Sequence, residues 1–163
     1  MNRKQKSYMP LAIDMAGQRC LVLGGGRVGT RKVATLLEAG AEVTLVAPKI
    51  SDALRKLVDV GRVDWQKGPY DAEMLGQFML VVAATDDRAL NLRICRDADA
   101  CGILSCNVSA GNRSRVIFPA VHADRQVTVA VHSQGRDCRL SQKVRDGIAA
   151  WRTSHERKKR GED

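Results

Sequence analysis

The sequence predicts an α/β fold in which a doubly wound parallel sheet is covered by helices on both faces. Strand-like apolar runs alternate with helical patterns as far as residue 107, as in sheets built from right-handed crossovers. One run, 78–84, is apolar throughout, as a strand that is covered on both faces requires. The first apolar run, 19–23, breaks into glycines and passes directly into a helical pattern.

The glycines of this first junction have the spacing G-x-G-x-x-G. Gly24 suits a tight turn, and Gly26 leaves no Cβ between the backbone and a phosphate. Gly29 allows the helix to pack closely on the strand. The N-terminus of the helix adds unpaired N–H groups and a partial positive charge. The motif therefore predicts a Rossmann-like dinucleotide site at the first strand-to-helix junction.

The end of the second strand bears on the choice of cofactor. Sites that select NAD usually carry Asp or Glu there, about 20 residues beyond the glycines, to bind the ribose hydroxyls. In this sequence the stretch reads Ala47, Pro48, Lys49. No carboxylate is present to repel a 2′-phosphate, and a cation stands next to this position, so this feature does not decide between NAD and NADP.

Helices and strands continue to alternate after the second strand, which we expect to end at Pro48. In order, the patterns predict a helix capped by Ser51 and running through Val60, a strand at 63–66, a helical turn at 71–75, the strand at 78–84, a helix capped by Asp86 or Asp87 that reaches about Ala100, and a strand at 102–107. Ligands enter open α/β sheets at the carboxyl ends of the strands. Thr85, Asp86 and Asn107 should therefore lie beside the glycine turn.

The last third of the chain has a different pattern. Two short strands, 116–120 and 126–131, cannot bury themselves, so we expect a small C-terminal dimerisation segment that docks on a second subunit. A helix should follow from Leu140 to Trp151. The predicted organisation is a basic tail at 1–7, a dinucleotide-binding domain at 8–113, a dimerisation and substrate segment at 114–150 and a charged tail at 151–163.

Charge narrows the class of partner. The chain has 27 Lys and Arg against 18 Asp and Glu, a net charge of +9 that suits a polyanion. Residues 112–145 hold seven of these cations and only two acids, a local charge of +5. The two Trp, two Tyr and two Phe are scattered and form no stacking platform, which argues against nucleic acid. A nucleotide cofactor together with a polycarboxylate substrate fits the charge.

Cysteine usage and hydropathy bear on the compartment. The five cysteines are odd in number and show no C-x-x-C pair, so we expect free thiols in a reducing cytosol. The spacings of cysteine and histidine match no zinc or iron–sulfur pattern, and we therefore predict no metal site. Since no apolar run approaches the length of a membrane span, we expect a cytoplasmic protein.

Seven segments of the chain carry a family resemblance, and they are 8–11, 24–32, 36–41, 46–48, 83–87, 107–108 and 117–120. Together they resemble the precorrin-2 dehydrogenase family, the NAD-dependent domain of siroheme synthase. The resemblance implies a cytosolic homodimer that oxidises precorrin-2 to sirohydrochlorin with NAD, on the way to siroheme. It implies a cofactor site at Arg27, Val28, Pro48, Lys49, Thr85 and Asn107. It places Arg113, Arg115, Ser133 and Arg136 toward the carboxylate arms of the tetrapyrrole.

One departure from the family leaves the general base open. The family's proposed catalytic aspartate stands three residues beyond the Asn of its Asn-Val pair, and here that position is Ala110. Candidate substitutes are Asp86, Asp124, Asp137 and His132. Besides the dehydrogenase, two hypotheses stay open. One is a tetrapyrrole-binding or metal-inserting relative without the redox step, and the other is a nucleotide-sensing or nucleic-acid-binding module supported only by net charge and the glycine motif.

Overall fold

The computed structural model describes residues 7–110 and 113–160, with side chains described as far as residue 155. These residues form two compact units, a larger one at 9–116 and a smaller one that contains Tyr8 and residues 117–160. The sequence placed the division at residue 113. The chain stays with the larger unit as far as Val116 because the backbone N–H groups of Arg115 and Val116 both donate to the carbonyl of Ser105, at 2.9 Å each.

The larger unit is the doubly wound α/β sheet that the sequence predicts. Its elements are β1 (Arg19–Gly25), α1 (Arg27–Glu38), β2 (Glu42–Ile50), α2 (Asp52–Asp59), β3 (Val63–Gln66), a 3-10 helix (Ala72–Gln77), β4 (Leu80–Ala83), α3 (Arg88–Ala100) and β5 (Leu104–Asn107). The strands lie in the order β3-β2-β1-β4-β5, and every adjacent pair is parallel. The break in strand order between β1 and β4 creates the switch point at which such sheets bind ligands.

The core of this unit lies on both faces of β1 and β4. Leu21 and Val81 pack in a cluster with Ile94 of α3. Their neighbours Val22 and Val82, which point to the opposite face, are equally buried, with no exposed surface. The unbroken apolar runs of the sequence therefore correspond to central strands that are covered on both sides.

The second strand extends beyond its predicted end. The prediction that β2 stops at Pro48 was wrong, because the strand continues to Ile50, which pairs with Gly25. The register between β1 and β2 shifts after Leu23, so Pro48 lies in an irregular stretch of the ladder. A proline, which has no N–H to donate, is tolerated at such an irregularity.

The smaller unit is built from β6 (Ala120–Ala123), β7 (Thr128–Val131) and α4 (Cys138–Arg160). The two strands are antiparallel, and α4 contacts both. The predicted strand at 116–120 was wrong, since Val116 is bonded to β5 and the strand begins only at Ala120.

The last helix is longer than predicted. We expected it to end at Trp151 and the chain to continue as a charged tail, but α4 runs to Arg160. Arg152 helps to hold this extension, since its Nη2 and Nε lie 2.8 and 3.1 Å from Oδ2 of Asp124. Among the helices of the described residues, none combines the length and the apolar character needed to cross a membrane.

Candidate functional site

A cleft of about 870 Å³ lies at the carboxyl ends of β1, β2 and β4. We call it the edge cleft. Its walls are formed by Leu23 of β1, Val46 of β2, and Leu90 and Arg93 of α3, together with the four stretches 24–26, 48–51, 68–70 and 84–87. The cleft therefore occupies the switch point of the sheet, the position at which the sequence placed the ligand.

The glycines of the first junction have separate structural roles. Gly24 has a φ of +114°, and a Cβ there would overlap the backbone carbonyl of Ala84. A Cβ at Gly29 would meet the carbonyl of Gly24, so this glycine sets the close packing of α1 on β1. Gly26 faces open space, with no atom within 4 Å of its Cβ position. Two glycines thus close the junction, and the third keeps bare backbone facing the edge cleft.

Gly25 is a constrained position that sequence reasoning did not assign. A Cβ at Gly25 would meet the carbonyl of Lys49, because β1 and β2 approach each other closely here. The backbone carbonyl of Gly25 accepts a hydrogen bond from the N–H of Ser51 at 3.0 Å. The only signal in the sequence was the run of three consecutive glycines, of which the motif uses two.

The first turn of α1 is available to an anion. Its N-cap is Gly26, and no side chain caps the helix. Uncapped first-turn N–H groups and the helix dipole favour a negative charge at this point. Arg27, which is exposed, and Val28, which is half-buried, begin the helix but are not among the described residues that line the edge cleft.

The end of β2 carries a cation and hydroxyl groups where NAD-selective sites carry an acid. Pro48 and Lys49 are exposed and line the edge cleft. Ser51 caps α2 by accepting from the N–H of Leu54 at 3.3 Å, and its hydroxyl lies 2.8 Å from that of Thr30 on α1. This wall can therefore accept either a ribose hydroxyl or a 2′-phosphate.

Thr85 is held at the end of β4 by a buried amide. Its N–H and hydroxyl donate to Oδ1 of Asn91 at 3.0 and 2.8 Å, and Nδ2 of Asn91 donates back to its carbonyl at 2.8 Å. Asp87 caps α3 by accepting from the N–H groups of Ala89 and Leu90. The sequence left the cap open between Asp86 and Asp87. Because Asp87 takes it, Asp86 lines the edge cleft without a capping role.

The end of β5 is fixed by two serines. Oδ1 of Asn107 accepts from the N–H and the hydroxyl of Ser109 at 3.0 and 2.8 Å. The backbone N–H of Asn107 donates to the hydroxyl of Ser114 at 2.7 Å. Asn107 is 2% exposed, and the structure places it beside the strand end rather than among the described residues that line the edge cleft.

Tyr70 and Arg93, which line the edge cleft, belong to a polar cluster that the sequence did not reveal. The hydroxyl of Tyr70 donates to Oδ2 of Asp97 at 3.0 Å, and Nε of Arg93 lies 3.7 Å from the same oxygen. Burial, together with Asp97, raises the pKa of Tyr70 well above its ordinary value, so this phenol stays neutral. Only the spacing of Arg93 and Asp97, four residues apart on a helix, could have indicated part of the cluster.

The residues that the resemblance assigns to the substrate are divided between the two units. Arg113 and Arg115 are exposed and flank the buried Ser114 in the larger unit. Ser133 and Arg136 lie in the smaller unit, in the loop that precedes α4. In that loop the hydroxyl of Ser133 donates to the carbonyl of Asp137 at 2.6 Å.

The candidate bases differ in the hydrogen bonds that their side chains already accept. The N–H groups of Gln126 and Val127, with Arg152, hold the pKa of Asp124 at about 2. Asp137 accepts from two N–H groups of α4, at 2.9 Å each, and Nδ1 of His132 accepts from the N–H of Gln134 at 3.3 Å. Of the four candidates, Asp86 is the one that lines the edge cleft.

Three of the cysteines, Cys20, Cys95 and Cys106, are buried packing residues, and Cys101 and Cys138 are exposed. None of the five forms a disulfide, and burial raises the pKa of Cys20 and of Cys106 to about 11, so both stay protonated at neutral pH. Within residues 7–110 and 113–155, no group of three His, Cys, Asp or Glu side chains comes together that could hold a metal ion.

Comparison with known proteins assigns the family. A family model described as "Putative NAD(P)-binding" matches residues 11–120. The chain belongs to this NAD(P)-binding family. The matched region contains the whole edge cleft, including the glycine junction and Thr85, so the family and the geometry identify the same part of the molecule.

Curated relatives of this NAD(P)-binding chain include siroheme synthases. Siroheme synthase 1 of Serratia proteamaculans is 38% identical over 143 residues, which cover 88% of this chain and 30% of the relative. Siroheme synthase of Photorhabdus laumondii is 35% identical over the same length, again with 88% of this chain and 30% of the relative covered. The chain therefore spans less than a third of the length of these relatives.

A solved structure supports the fold assignment for the NAD(P)-binding chain. The structure of SirC, precorrin-2 dehydrogenase, has a TM-score of 0.74 to this chain at 23% identity, and the match covers 88% of this chain and 70% of that one. The predicted Rossmann-like fold is confirmed by this likeness and by the parallel order of the five strands.

Proposed function

We propose that this chain is an NAD-dependent dehydrogenase that oxidises precorrin-2 to sirohydrochlorin in the biosynthesis of siroheme or a related tetrapyrrole. The observation that carries the proposal is the bare backbone at Gly26, which opens onto a cleft extending from Lys49 to Thr85. The similarity to siroheme synthases and to SirC supports precorrin-2 as the substrate. The five cysteines, none of which forms a disulfide, support a reducing, cytosolic compartment.

The residues of the edge cleft fit a nicotinamide dinucleotide. The space that a Cβ would fill at Gly26, beside the uncapped start of α1, would take the pyrophosphate. Lys49 and Ser51 would border the adenosine ribose, and Thr85 and Asp86 the opposite half of the molecule. We propose NAD as the cofactor, on the strength of the resemblance. Since Lys49 does not repel a 2′-phosphate, NADP should also bind.

The proposed oxidation removes a hydride and a proton from the macrocycle. When it is bound, the nicotinamide ring supplies the hydride acceptor. The chain must supply the proton acceptor, and we assign this role to Asp86 because it lines the edge cleft and does not cap α3. Asp124 is a poor alternative, since a carboxyl with a pKa of about 2 has little affinity for a proton.

The carboxylate arms of the substrate require cations. We assign Arg113 and Arg115 to this role, because both are exposed and the buried Ser114 between them anchors their loop to the end of β5. In the smaller unit, Ser133 and Arg136 are further candidates for binding the substrate. Their support is the resemblance and the positive charge of the surrounding segment.

We also propose that the smaller unit forms a homodimer. One face of α4 carries an apolar stripe of Leu140, Val144 and Trp151, which are 51%, 43% and 59% exposed. Gly147 lies within this stripe and has no atom within 4 Å of its Cβ position, so a second helix could approach closely. A contiguous exposed stripe of this kind is typical of a surface that another protein covers.

The direct test is an anaerobic assay of the purified protein with precorrin-2 and either NAD or NADP, followed by the absorbance of sirohydrochlorin. We expect turnover with NAD. Gly26→Ala should weaken dinucleotide binding at least 10-fold without lowering Tm, and Gly76→Ala, at an open position outside the edge cleft, should change neither. Tetrapyrrole binding without turnover would favour the non-redox alternative, and no binding of either ligand would refute both functions.

The role of Asp86 is tested separately. Asp86→Asn should lower kcat by about 100-fold, the usual loss when a general base is removed, with NAD affinity changed less than about 3-fold. Asp59→Asn, an exposed acid at the end of α2, serves as the control. A kcat that stays close to that of the wild type would transfer the role of base to another group.

A further inference from the structure

A fully buried polar residue, Asn91, lies in α3 among apolar neighbours. Its exposed fraction is 0%, and Ile94 and Cys95 beside it belong to the core. Burying an amide is costly unless each of its donors and acceptors is paired. Asn91 meets this condition, because Oδ1 accepts two hydrogen bonds from Thr85 and Nδ2 donates to the carbonyl of Thr85 and to the hydroxyl of Ser109.

These bonds have a fixed direction. Nδ2 of Asn91 donates to the hydroxyl of Ser109 at 3.3 Å, and that hydroxyl can donate in turn to Oδ1 of Asn107 at 2.8 Å. The reversed amide is excluded, since it would place the NH₂ group of Asn91 against the N–H of Thr85. The chain of donors therefore leads from Asn91 through Ser109 to Asn107.

Asn107 carries the connection to the loop that follows β5. Its N–H donates to the hydroxyl of Ser114 at 2.7 Å, and that hydroxyl also lies 3.3 Å from the carbonyl of Asn107. Nδ2 of Asn107 is buried and has no hydrogen-bond partner among the described residues, so its side chain is held through the oxygen by Ser109. Removal of the Ser109 hydroxyl would leave only the bond from the backbone N–H of residue 109 on Oδ1, and it should therefore loosen the Asn107 amide next to the loop.

The two ends of this series of hydrogen bonds, Thr85 and Ser114, have different proposed roles. Thr85 lines the edge cleft, where we place the cofactor. Ser114 sits between Arg113 and Arg115, to which we assign the substrate carboxylates. Hydride transfer depends steeply on the alignment of the two reactants, and a displacement of about 1 Å can cost about 100-fold in rate.

We propose that Asn91 and Ser109 are positioning residues, which hold the cofactor-side Thr85 and the substrate-side arginine loop in one fixed arrangement through the chain Thr85, Asn91, Ser109, Asn107, Ser114. The inference rests on the proposed dehydrogenase function, and it assigns to these two residues the alignment of the reactants rather than their binding. Neither residue belongs to the glycine motif or to the charged set.

The central test is Ser109→Ala, which removes the hydroxyl that links Asn91 to Asn107 but leaves the hydrogen bonds between Asn91 and Thr85 intact. We expect kcat to fall by roughly 10-fold to 100-fold, while the Kd for NAD and the KM for precorrin-2 change less than about 2-fold. Ser109→Thr retains the hydroxyl and should restore kcat. Ser105→Ala is the matched control, because this buried serine of β5 bonds instead to Asp99 at 2.9 Å.

A second measurement does not depend on turnover. In the free protein, Ser109→Ala should speed hydrogen exchange of the Asn107 backbone amide at least 10-fold, because Oδ1 of Asn107 then keeps only the bond from the N–H of residue 109 and Asn107 is held less firmly against Ser114. Exchange of the Leu104 amide, which donates to the carbonyl of Met79, should not change. The same comparison in Ser105→Ala should show no effect at Asn107.

The outcomes separate the inference from the proposed function. Unchanged kcat and unchanged exchange in Ser109→Ala would refute the positioning role while leaving the dehydrogenase in place. A rise in KM or Kd equal to the loss of kcat would assign Ser109 to binding and would also refute it. No turnover by the wild-type protein would refute the dehydrogenase and the alignment role together, and faster exchange at Asn107 would then report a structural link only.

Discussion

The two units of this chain differ in how completely they bury the large apolar side chains of their strands and helices. In the larger unit, Leu21 and Val81 have no exposed surface, and the strands that carry them are covered on both faces. In the smaller unit, Val121, Leu140 and Trp151 are 44%, 51% and 59% exposed. The larger unit therefore completes a core from its own residues, whereas the smaller unit leaves large apolar side chains of its strands and its helix exposed.

The same contrast holds for the functional residues. The edge cleft of the larger unit is shaped by backbone, through glycines that accept no side chain and through a buried amide that holds Thr85. In the smaller unit, the residues proposed to bind the substrate, Ser133 and Arg136, are side chains on a loop, and Arg136 is exposed. Substitutions in the first region should act on folding and geometry, and those in the second on association and affinity.

The largest expected effect is at the glycine junction. Gly24→Ala combines a positive φ with overlap on the carbonyl of Ala84, and it should cost about 3 kcal/mol or more in the free energy of unfolding. The measurement is urea unfolding in a Trp151→Phe background, in which Trp65 is the remaining tryptophan and reports on the larger unit. Gly68→Ala, at an open position of the same cleft, should cost under about 1 kcal/mol, and equal losses would contradict the role of Gly24.

A pair of core truncations compares the units directly. Ile94→Ala removes a fully buried side chain of α3 and should cost about 3–4 kcal/mol, whereas Ile148→Ala, at a half-buried position of α4, should cost about 1 kcal/mol. Fluorescence of Trp65 monitors the unfolding of Ile94→Ala, and fluorescence of Trp151 monitors the unfolding of Ile148→Ala, each in a background that lacks the other tryptophan. Similar costs at the two positions would show that the smaller unit has a core as complete as that of the larger one.

The apolar stripe on α4 gives a third prediction. Leu140→Ser combined with Trp151→Ser should weaken self-association at least about 10-fold, because the double substitution removes two large exposed apolar side chains from the proposed dimer interface. Sedimentation velocity over a range of protein concentrations measures the change. Val60→Ser replaces a valine that is 70% exposed on the larger unit, and it should leave association unchanged. A wild-type protein that remains a monomer at every concentration would refute the dimer.

The parts of the fold that were predicted from the sequence are those that local pattern determines. The spacing of Gly24, Gly26 and Gly29 predicts a tight phosphate-binding turn wherever it occurs between a strand and a helix. The apolar run before Thr85 is enough by itself to predict a central strand. The junction and the parallel sheet were therefore predicted correctly.

The parts that were missed depend on contacts between distant residues. Val116 looks like the start of a strand, but its N–H is taken by Ser105, eleven positions earlier in the chain, and the strand begins later. The charged end of α4 looks like a frayed tail, but Arg152 pairs with Asp124, a residue 28 positions away. Asn91 was placed on its helix, yet no pattern indicated that its amide joins the ends of β4 and β5.

The smallest effect concerns pH and the turn between β6 and β7. Backbone N–H groups of Gln126 and Val127, with Arg152, hold the pKa of Asp124 at about 2, below the value of about 4 in an unfolded chain. The ionised carboxylate therefore stabilises the smaller unit above about pH 4, and this contribution is lost as the pH falls toward 2. Asp124→Asn should lower Tm by roughly 1–4 °C at pH 7 and by progressively less below pH 4. Fluorescence of Trp151 follows the transition in a Trp65→Phe background, and Asp59→Asn on the larger unit should leave it unchanged. If Asp124→Asn lowered Tm as much at pH 2.5 as at pH 7, the turn would depend on the shape of this side chain rather than on its charge. The smaller unit would then resemble the larger one, in which backbone geometry fixes the structure.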